Sequence, residues 1–326
     1  MPALLSISRF FHFVATLSLL GIFSFECLVV APSGHACGTT DEALEAGRRR
    51  SRRWIWGILP ILLLSGAGWL FAVAVEMSEM PPSAILRSGV MEVVLIQTHF
   101  GHNWLLRFSD AAILVLWLLW IEPAARVRSR GITAWRVGAI LTGLLTASLA
   151  WSAHGVETPG ASGDLHVAAD ALHLIAAGMW LGTLIPLALF LDSARSGGGG
   201  AWEGVSQFVT RRYSRIALIS VAVLLGSGAV DTSFLVGSLR ALVGTTYGRL
   251  LLVKIGLFCV MGTIGAVNFL RLGPRFRAAG PGFRQAIWDT AWRLQRNALI
   301  EASIGCAILA IVAELGTMPP AMSMAG

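Results

Sequence analysis

The stretch LHVAADALHLIAAGMWLGTLIPLALFL, residues 165–191, holds one charged side chain, Asp170, in a run longer than the roughly 20 apolar residues that cross a bilayer as a helix. It is apolar all round rather than striped, the pattern of a helix that meets lipid and other helices. Seven further runs read the same way, over about 10–30, 54–75, 104–121, 132–152, 213–231, 249–270 and 297–315. Composition agrees. Of 326 residues 55% are hydrophobic and only 13% charged, with a mean hydropathy of +0.71. Soluble domains carry about 25% charged residues, so there is too little charge here to cover a water-facing surface. A disordered chain and a secreted disulfide scaffold are excluded on the same grounds. The four cysteines, Cys27, Cys37, Cys259 and Cys306, are scattered and form no CxxC pair. The fold expected is an all-α membrane protein, a bundle of about eight transmembrane helices, with the 36 glycines allowing close helix approach.

A net charge of +7 and a pI near 10.2 would ordinarily raise nucleic acid as a partner. The position of the arginines points to membrane lipid instead, and no nucleic acid is expected. With the N-terminus outside, the cytoplasmic loops collect Arg48–Arg50, Arg52, Arg53, Arg126, Arg128, Arg130, Arg136, Arg195, Arg211, Arg212, Arg215, Arg271, Arg275, Arg277, Arg284, Arg293 and Arg296. The outer side keeps Arg9, Arg87, Arg107, Arg240, Arg249 and Lys254. That asymmetry places both termini on the extracytoplasmic side. The first run is read as a retained helix rather than a cleaved signal peptide, because its basic cluster follows the apolar core instead of preceding it. Gly197–Gly200 reads as a spacer, and the outer segment 76–99 carries short apolar runs suited to an interfacial helix. No phosphate loop, nucleophile elbow or HExxH motif occurs.

In this topology His12, His99, His102, His154, His166 and His173 all fall on or near the outer face, and only His35 lies inside. His166 and His173 are two helical turns apart with Asp170 between them, so all three share one face of the fifth span. His99 and His102 are neighbours if their stretch is helical. Met77 and Met80 alternate with Glu76 and Glu79 in EMSEM, and Met318, Met322 and Met324 crowd the C-terminal tail. Imidazole with thioether suits Cu(I), and imidazole alone also suits Cu(II). Nine outer acidic residues against six basic ones would draw a cation to that surface. The candidate metal ligands are therefore His166, His173, Asp170, His99, His102, His154, His12, Met77 and Met80. His12 and His154, each alone near a span end, also fit an interfacial hydrogen-bonding role. Arg249 and Lys254 read most simply as snorkelling outward, Glu26, Glu301 and Glu314 as solvated at span ends, and Arg107 with Asp110 as an internal ion pair.

The segments RRYSRIALISVAVLLGSG (211–228), TTYGRLLLVKIGLF (245–258), NFLRLGPRF (268–276) and EASIGCAILAIVAELGTMPP (301–320) resemble the CopD copper-resistance membrane domain. DALHLIAAGMWLGTLIPLAL (170–189) and THFGHNWLLRFSDAAIL (98–114) resemble the upstream part of its longer members. On this resemblance the chain divides into an N-terminal two-span region over 1–97, a six-span membrane domain over 98–320 and a short outer tail over 321–326. The resemblance implies copper transport across, or copper binding at, the bacterial inner membrane, with a separate periplasmic CopC-like copper-binding protein as partner, and no enzymatic activity. It places His173 at the family's DxLH-like motif and His99 and His102 at its FG-W-R-like motif. Two other readings are a haem-b redox protein with paired histidine ligands and a non-transporting docking subunit for a periplasmic copper protein.

Overall fold

A computed structural model describes residues 2–37, 41–121, 128–152, 160–197, 200–278 and 284–324. Among these residues there is no strand, and eight helices are long and apolar enough to cross a membrane. They are α1 (Pro2–Gly34), α2 (Leu44–Ser78), α3 (His99–Ile121), α4 (Ile132–Ser152), α5 (Ala161–Ser196), α6 (Trp202–Leu235), α7 (Thr246–Phe276) and α8 (Gln285–Leu315). Every apolar run read from the sequence is found, and most helices extend further than their apolar cores. The arginine-rich stretch beginning near residue 44 continues α2 as helix, because arginine is a good helix former and such ends lie outside the hydrocarbon. The outer segment between α2 and α3 carries two short helices, Pro82–Ile85 and Val90–Gln97.

Two helices organise the bundle. α1 packs on α2, α4, α5 and α8, and α5 packs on α1, α4, α6 and α8. The apolar window of α1 is 78% buried, against 11% for α7, so α1 runs through the middle and α7 along the edge. The α1–α5 crossing depends on glycine. A Cβ on Gly21 would lie 2.0 Å from the carbonyl carbon of Gly182, and a Cβ on Gly182 would lie 2.1 Å from the Leu17 carbonyl oxygen. Small residues at such contacts let backbones meet where lipid supplies no hydrophobic drive. The basic residues Arg48, Arg49, Arg50, Arg52, Arg53, Arg136, Arg211, Arg212, Arg215 and Arg271 belong to one end of the bundle, where α1, α5 and α7 finish and α2, α4, α6 and α8 begin.

Span ends are drier than hydropathy implies. Glu26 is buried and accepts a hydrogen bond from Ser51 Oγ at 2.6 Å. Glu301 is likewise buried, while Glu314 accepts from Ser6 at 2.7 Å across the bundle. The expectation that Glu26 and Glu301 are solvated is corrected: both lie on helix faces turned toward neighbours.

Candidate functional site

At the end of the bundle opposite the arginines, α1, α5, α6, α7 and α8, with Trp69 of α2 and Leu149 and Ser152 of α4, line an open cavity of about 660 Å³. Most of its wall is apolar, which makes its ionisable members conspicuous: Arg9, Asp170, His173, Asp231 and Lys254. Ionisable groups at such depth are costly unless paired or functional. These are arranged as opposites. Asp170 is attracted by Lys254 and Arg9, Asp231 by Lys254, and the two carboxylates repel each other. Lys254 thus turns inward to face two carboxylates rather than snorkelling outward as its place near a span end implies. Arg249 does stay outside, donating to the carbonyl oxygens of Val243 and Gly244 at 3.3 Å each.

The imidazole of His173 is oriented by α6. Ser227 Oγ donates to the Val223 carbonyl at 2.7 Å, which uses its one proton. Its contact with His173 Nδ1 at 3.0 Å is therefore a bond that His173 donates. That fixes the tautomer with the proton on Nδ1 and leaves Nε2 with its lone pair, the arrangement by which a second shell presents a histidine to a metal. Asp231 Oδ2 stands 3.9 Å from the same Nδ1. Gly228 makes the space, since a Cβ there would sit 3.3 Å from His173 Cε1.

The TTYGRLLLVK segment has a local explanation. Thr245 caps α7, accepting from the Gly248 amide at 3.0 Å. Gly248 lets the short helix Leu239–Gly244 close on α7, because a Cβ would meet the Leu242 carbonyl oxygen at 2.2 Å. Tyr247 and Lys254 then follow two turns apart, and both line the cavity. Arg9 enters from α1 with its guanidinium 4.4 Å over the Trp69 ring and packed against Gly316 at the end of α8.

The candidate ligands separate into groups. Asp170 and His173 share the cavity wall. His166, two turns away on α5, is buried and stacks on Phe234 with ring centroids 4.8 Å apart and planes 8° from parallel. His12 belongs to a separate cluster behind Trp69, with its ring 5.2 Å from that of Trp104. Both its nitrogens are engaged, Nδ1 with the Leu62 carbonyl at 3.1 Å and Nε2 by donation from Arg107. Arg107 is thereby drawn to His12 and over Trp104, with Asp110 acting on it at longer range. His99 and His102 are exposed at the start of α3, and His102 Nε2 bonds the Ile96 carbonyl at 2.7 Å. Met77, in the last turn of α2, and Met80, just beyond it, are exposed. His154 and part of the Gly197–Gly200 spacer lie outside the described residues, among which no group of three His, Cys, Asp or Glu side chains is arranged to hold a metal.

Sequence reading missed Arg9, Asp231, Ser227 and Tyr247. The signal for Ser227 and Asp231 was their one-turn spacing on α6, which mirrors the spacing of Asp170 and His173 on α5. The cavity wall also includes Met261, a buried soft donor seven residues along α7 from Lys254, and Cys259, which is exposed. For Arg107, the physical weight of its bond to His12 is testable. Arg107→Met leaves the buried Nε2 without a donor, at an expected cost of about 1–3 kcal/mol. Thermal unfolding in detergent should show a midpoint lowered by several degrees, and an unchanged midpoint would mean the bond contributes nothing.

The family model for copper resistance protein D matches residues 208–315, and the model for the copper resistance protein D-like N-terminal domain matches residues 1–164. Copper resistance protein D of Pseudomonas syringae pv. tomato is 29% identical over 235 residues, covering 71% of this chain and 72% of that protein. Copper transport protein CutJ of Bacillus subtilis (strain 168) is 31% identical over 234 residues, 71% of this chain but 39% of its own length. Inner membrane protein YebZ of Escherichia coli (strain K12) is 28% identical over 231 residues, covering 69% of this chain and 71% of that protein. No solved structure matches the chain with significance. The cavity lies where the two matched regions meet: Arg9 comes from the first, and Asp231, Tyr247 and Lys254 from the second. This multi-pass membrane chain belongs to the copper resistance protein D family.

Proposed function

We propose that the chain carries copper into or across the bacterial inner membrane, and that the cavity between α1, α5, α6, α7 and α8 is where copper is taken up. The observation that carries this reading is His173, with Nδ1 engaged by Ser227 and Nε2 left as a ligand, in one chamber with Asp170 and Asp231. The arginines at the other end of the bundle support an orientation with the cavity and both termini facing the periplasm. An imidazole and two carboxylates suit Cu(II), while the buried thioether of Met261 suits Cu(I), so the chamber offers both harder and softer donors. The exposed His99, His102, Met77 and Met80 are the outer donors that would pass copper from a periplasmic CopC-like protein to the mouth. No reaction on a substrate is needed for this role, and we assign the chain as a carrier rather than an enzyme.

Copper enters in competition with Lys254, whose ammonium both carboxylates already attract. The test is metal analysis of the purified protein. His173→Ala is expected to lose most of the bound copper, whereas a His99→Ala/His102→Ala protein should keep its stoichiometry and load more slowly. Undiminished copper in His173→Ala would end the proposal that this cavity is the uptake site.

A further inference from the structure

Below the cavity floor lies a second buried polar group. Glu301 on α8 is 2% exposed, and its Oε1 accepts from Asn268 Nδ2 at 2.7 Å. Asn268 Oδ1 in turn accepts from Asn297 Nδ2 at 2.7 Å, one turn away from Glu301 on the same helix. Asn268 opens a π-helical segment, Asn268–Leu272, within α7. Such segments loosen the backbone register and recur at functional sites. The ionisable group facing Glu301 from α6 is Tyr213, and α5 contributes Trp180, an uncharged side chain. Among the described residues no Lys, Arg or His stands within 4 Å of Glu301, and Glu301 lacks the attraction to a cationic side chain that Asp170 and Asp231 have to Lys254. A carboxylate buried without a balancing charge is among the most unfavourable arrangements in a low-dielectric interior.

Trp180 divides the two sites. It lines the cavity above, contacts Phe258 edge-on with centroids 5.8 Å apart, and approaches the Gly265 position that Glu301 also approaches. Met261 is a cavity residue, and Asn268 lies seven residues further along α7, about 10 Å of helix rise. Glu301 similarly lies one turn beyond the cavity residue Gly305 on α8. This lower group offers amide and carboxylate oxygens with neither the imidazole nor the thioether of the cavity above, so copper is a poorer match than a singly charged hard ion.

We infer that Glu301, with Asn268 and Asn297, is a binding site for one monovalent cation, H⁺ or Na⁺, separated from the copper cavity by Trp180 and Phe258. If copper moves through the bundle as proposed above, this ion is the one whose gradient drives it; that coupling rests on the transport reading, whereas the site itself does not.

The test uses the full chain in lipid nanodiscs and compares wild type with Glu301→Gln, which keeps the acceptor for Asn268. Infrared difference spectra are recorded while pH is varied and, at fixed pH, while choline chloride is replaced by sodium chloride. A proton site gives a neutral-carboxyl carbonyl band that comes and goes with pH. A sodium site gives a carboxylate shift with sodium but not with choline. Either signal should be lost in Glu301→Gln and displaced in Asn268→Ala, with helical circular dichroism and copper stoichiometry unchanged. Wild-type and Glu301→Gln spectra that coincide in both titrations overturn the site. In proteoliposomes, copper uptake should rise with an imposed gradient of the same ion in wild type and be indifferent to it in Glu301→Gln. Gradient-independent uptake in wild type overturns the coupling. Absence of any copper uptake overturns the transport reading instead, and the infrared result then decides the ion site by itself.

Discussion

Gly182→Val is expected to leave no folded protein. At that point α1 and α5 touch backbone to backbone, and the obstructing atom for a new Cβ is the Leu17 carbonyl oxygen at 2.1 Å. No rotamer change relieves a collision with backbone, so the helices must separate along their length. Leu17 and Leu20, which pack over Gly178 one turn earlier, would lose their seats as well. Overpacking a core with side chains that can adjust already costs about 1–3 kcal/mol. Here the two moved helices are those on which α2, α4, α6 and α8 are assembled, so the loss approaches the roughly 5–15 kcal/mol that holds a whole domain together. The measurement is size-exclusion chromatography of the protein extracted in mild detergent, where the variant should run as aggregate. Gly143→Val is the control: nothing lies within 4 Å of a Cβ there, and it should run as wild type does. A monodisperse Gly182→Val would mean that α1 and α5 do not meet at this crossing.

The spans themselves were legible because hydropathy is a property of a whole segment, and 165–191 needs no partner to be read as apolar. Which way an individual side chain faces is a different matter. α7 is apolar all round, so nothing in its periodicity distinguishes the face carrying Tyr247 and Lys254 from the faces that meet lipid. Lys254 near a span start satisfies the expectation for snorkelling, and only the approach of Asp170 and Asp231 from α5 and α6 turns it inward. The same holds for Arg9, whose position over Trp69 depends on α2. The shared face of Asp170 and His173 was readable from their spacing within one helix. That His166 turns to Phe234 was not, because the stacking partner lies on another helix some seventy residues further along. Glu301 shows the same limit from the other side: its acidity near a span end reads as solvated, yet it is buried and bonded by Asn268, which Asn297 in turn holds.

Lys254→Leu should tighten copper binding by at least about tenfold, a change of about 1.4 kcal/mol. With the ammonium in place, the cavity pairs two cations, Arg9 and Lys254, against two carboxylates, and an incoming copper ion must displace an attraction that already exists. Leucine removes the charge of lysine and brings no metal donor of its own, so the carboxylates keep their repulsion and lose their main relief. Copper is then the cation that offsets it. Asp231→Asn works in the opposite direction, removing a negative charge and an oxygen donor close to His173, and should weaken binding by a similar factor. Combining the two restores the charge balance, and the affinity of the double variant should fall between those of the single ones, nearer to wild type than either. Competition against a chromogenic copper chelator, run separately under reducing and oxidising conditions, measures all four proteins. If Lys254→Leu bound copper no more tightly than wild type in both conditions, copper would not lie between Asp170 and Asp231, and the balanced charges of the cavity would serve to hold α1, α5, α6 and α7 together.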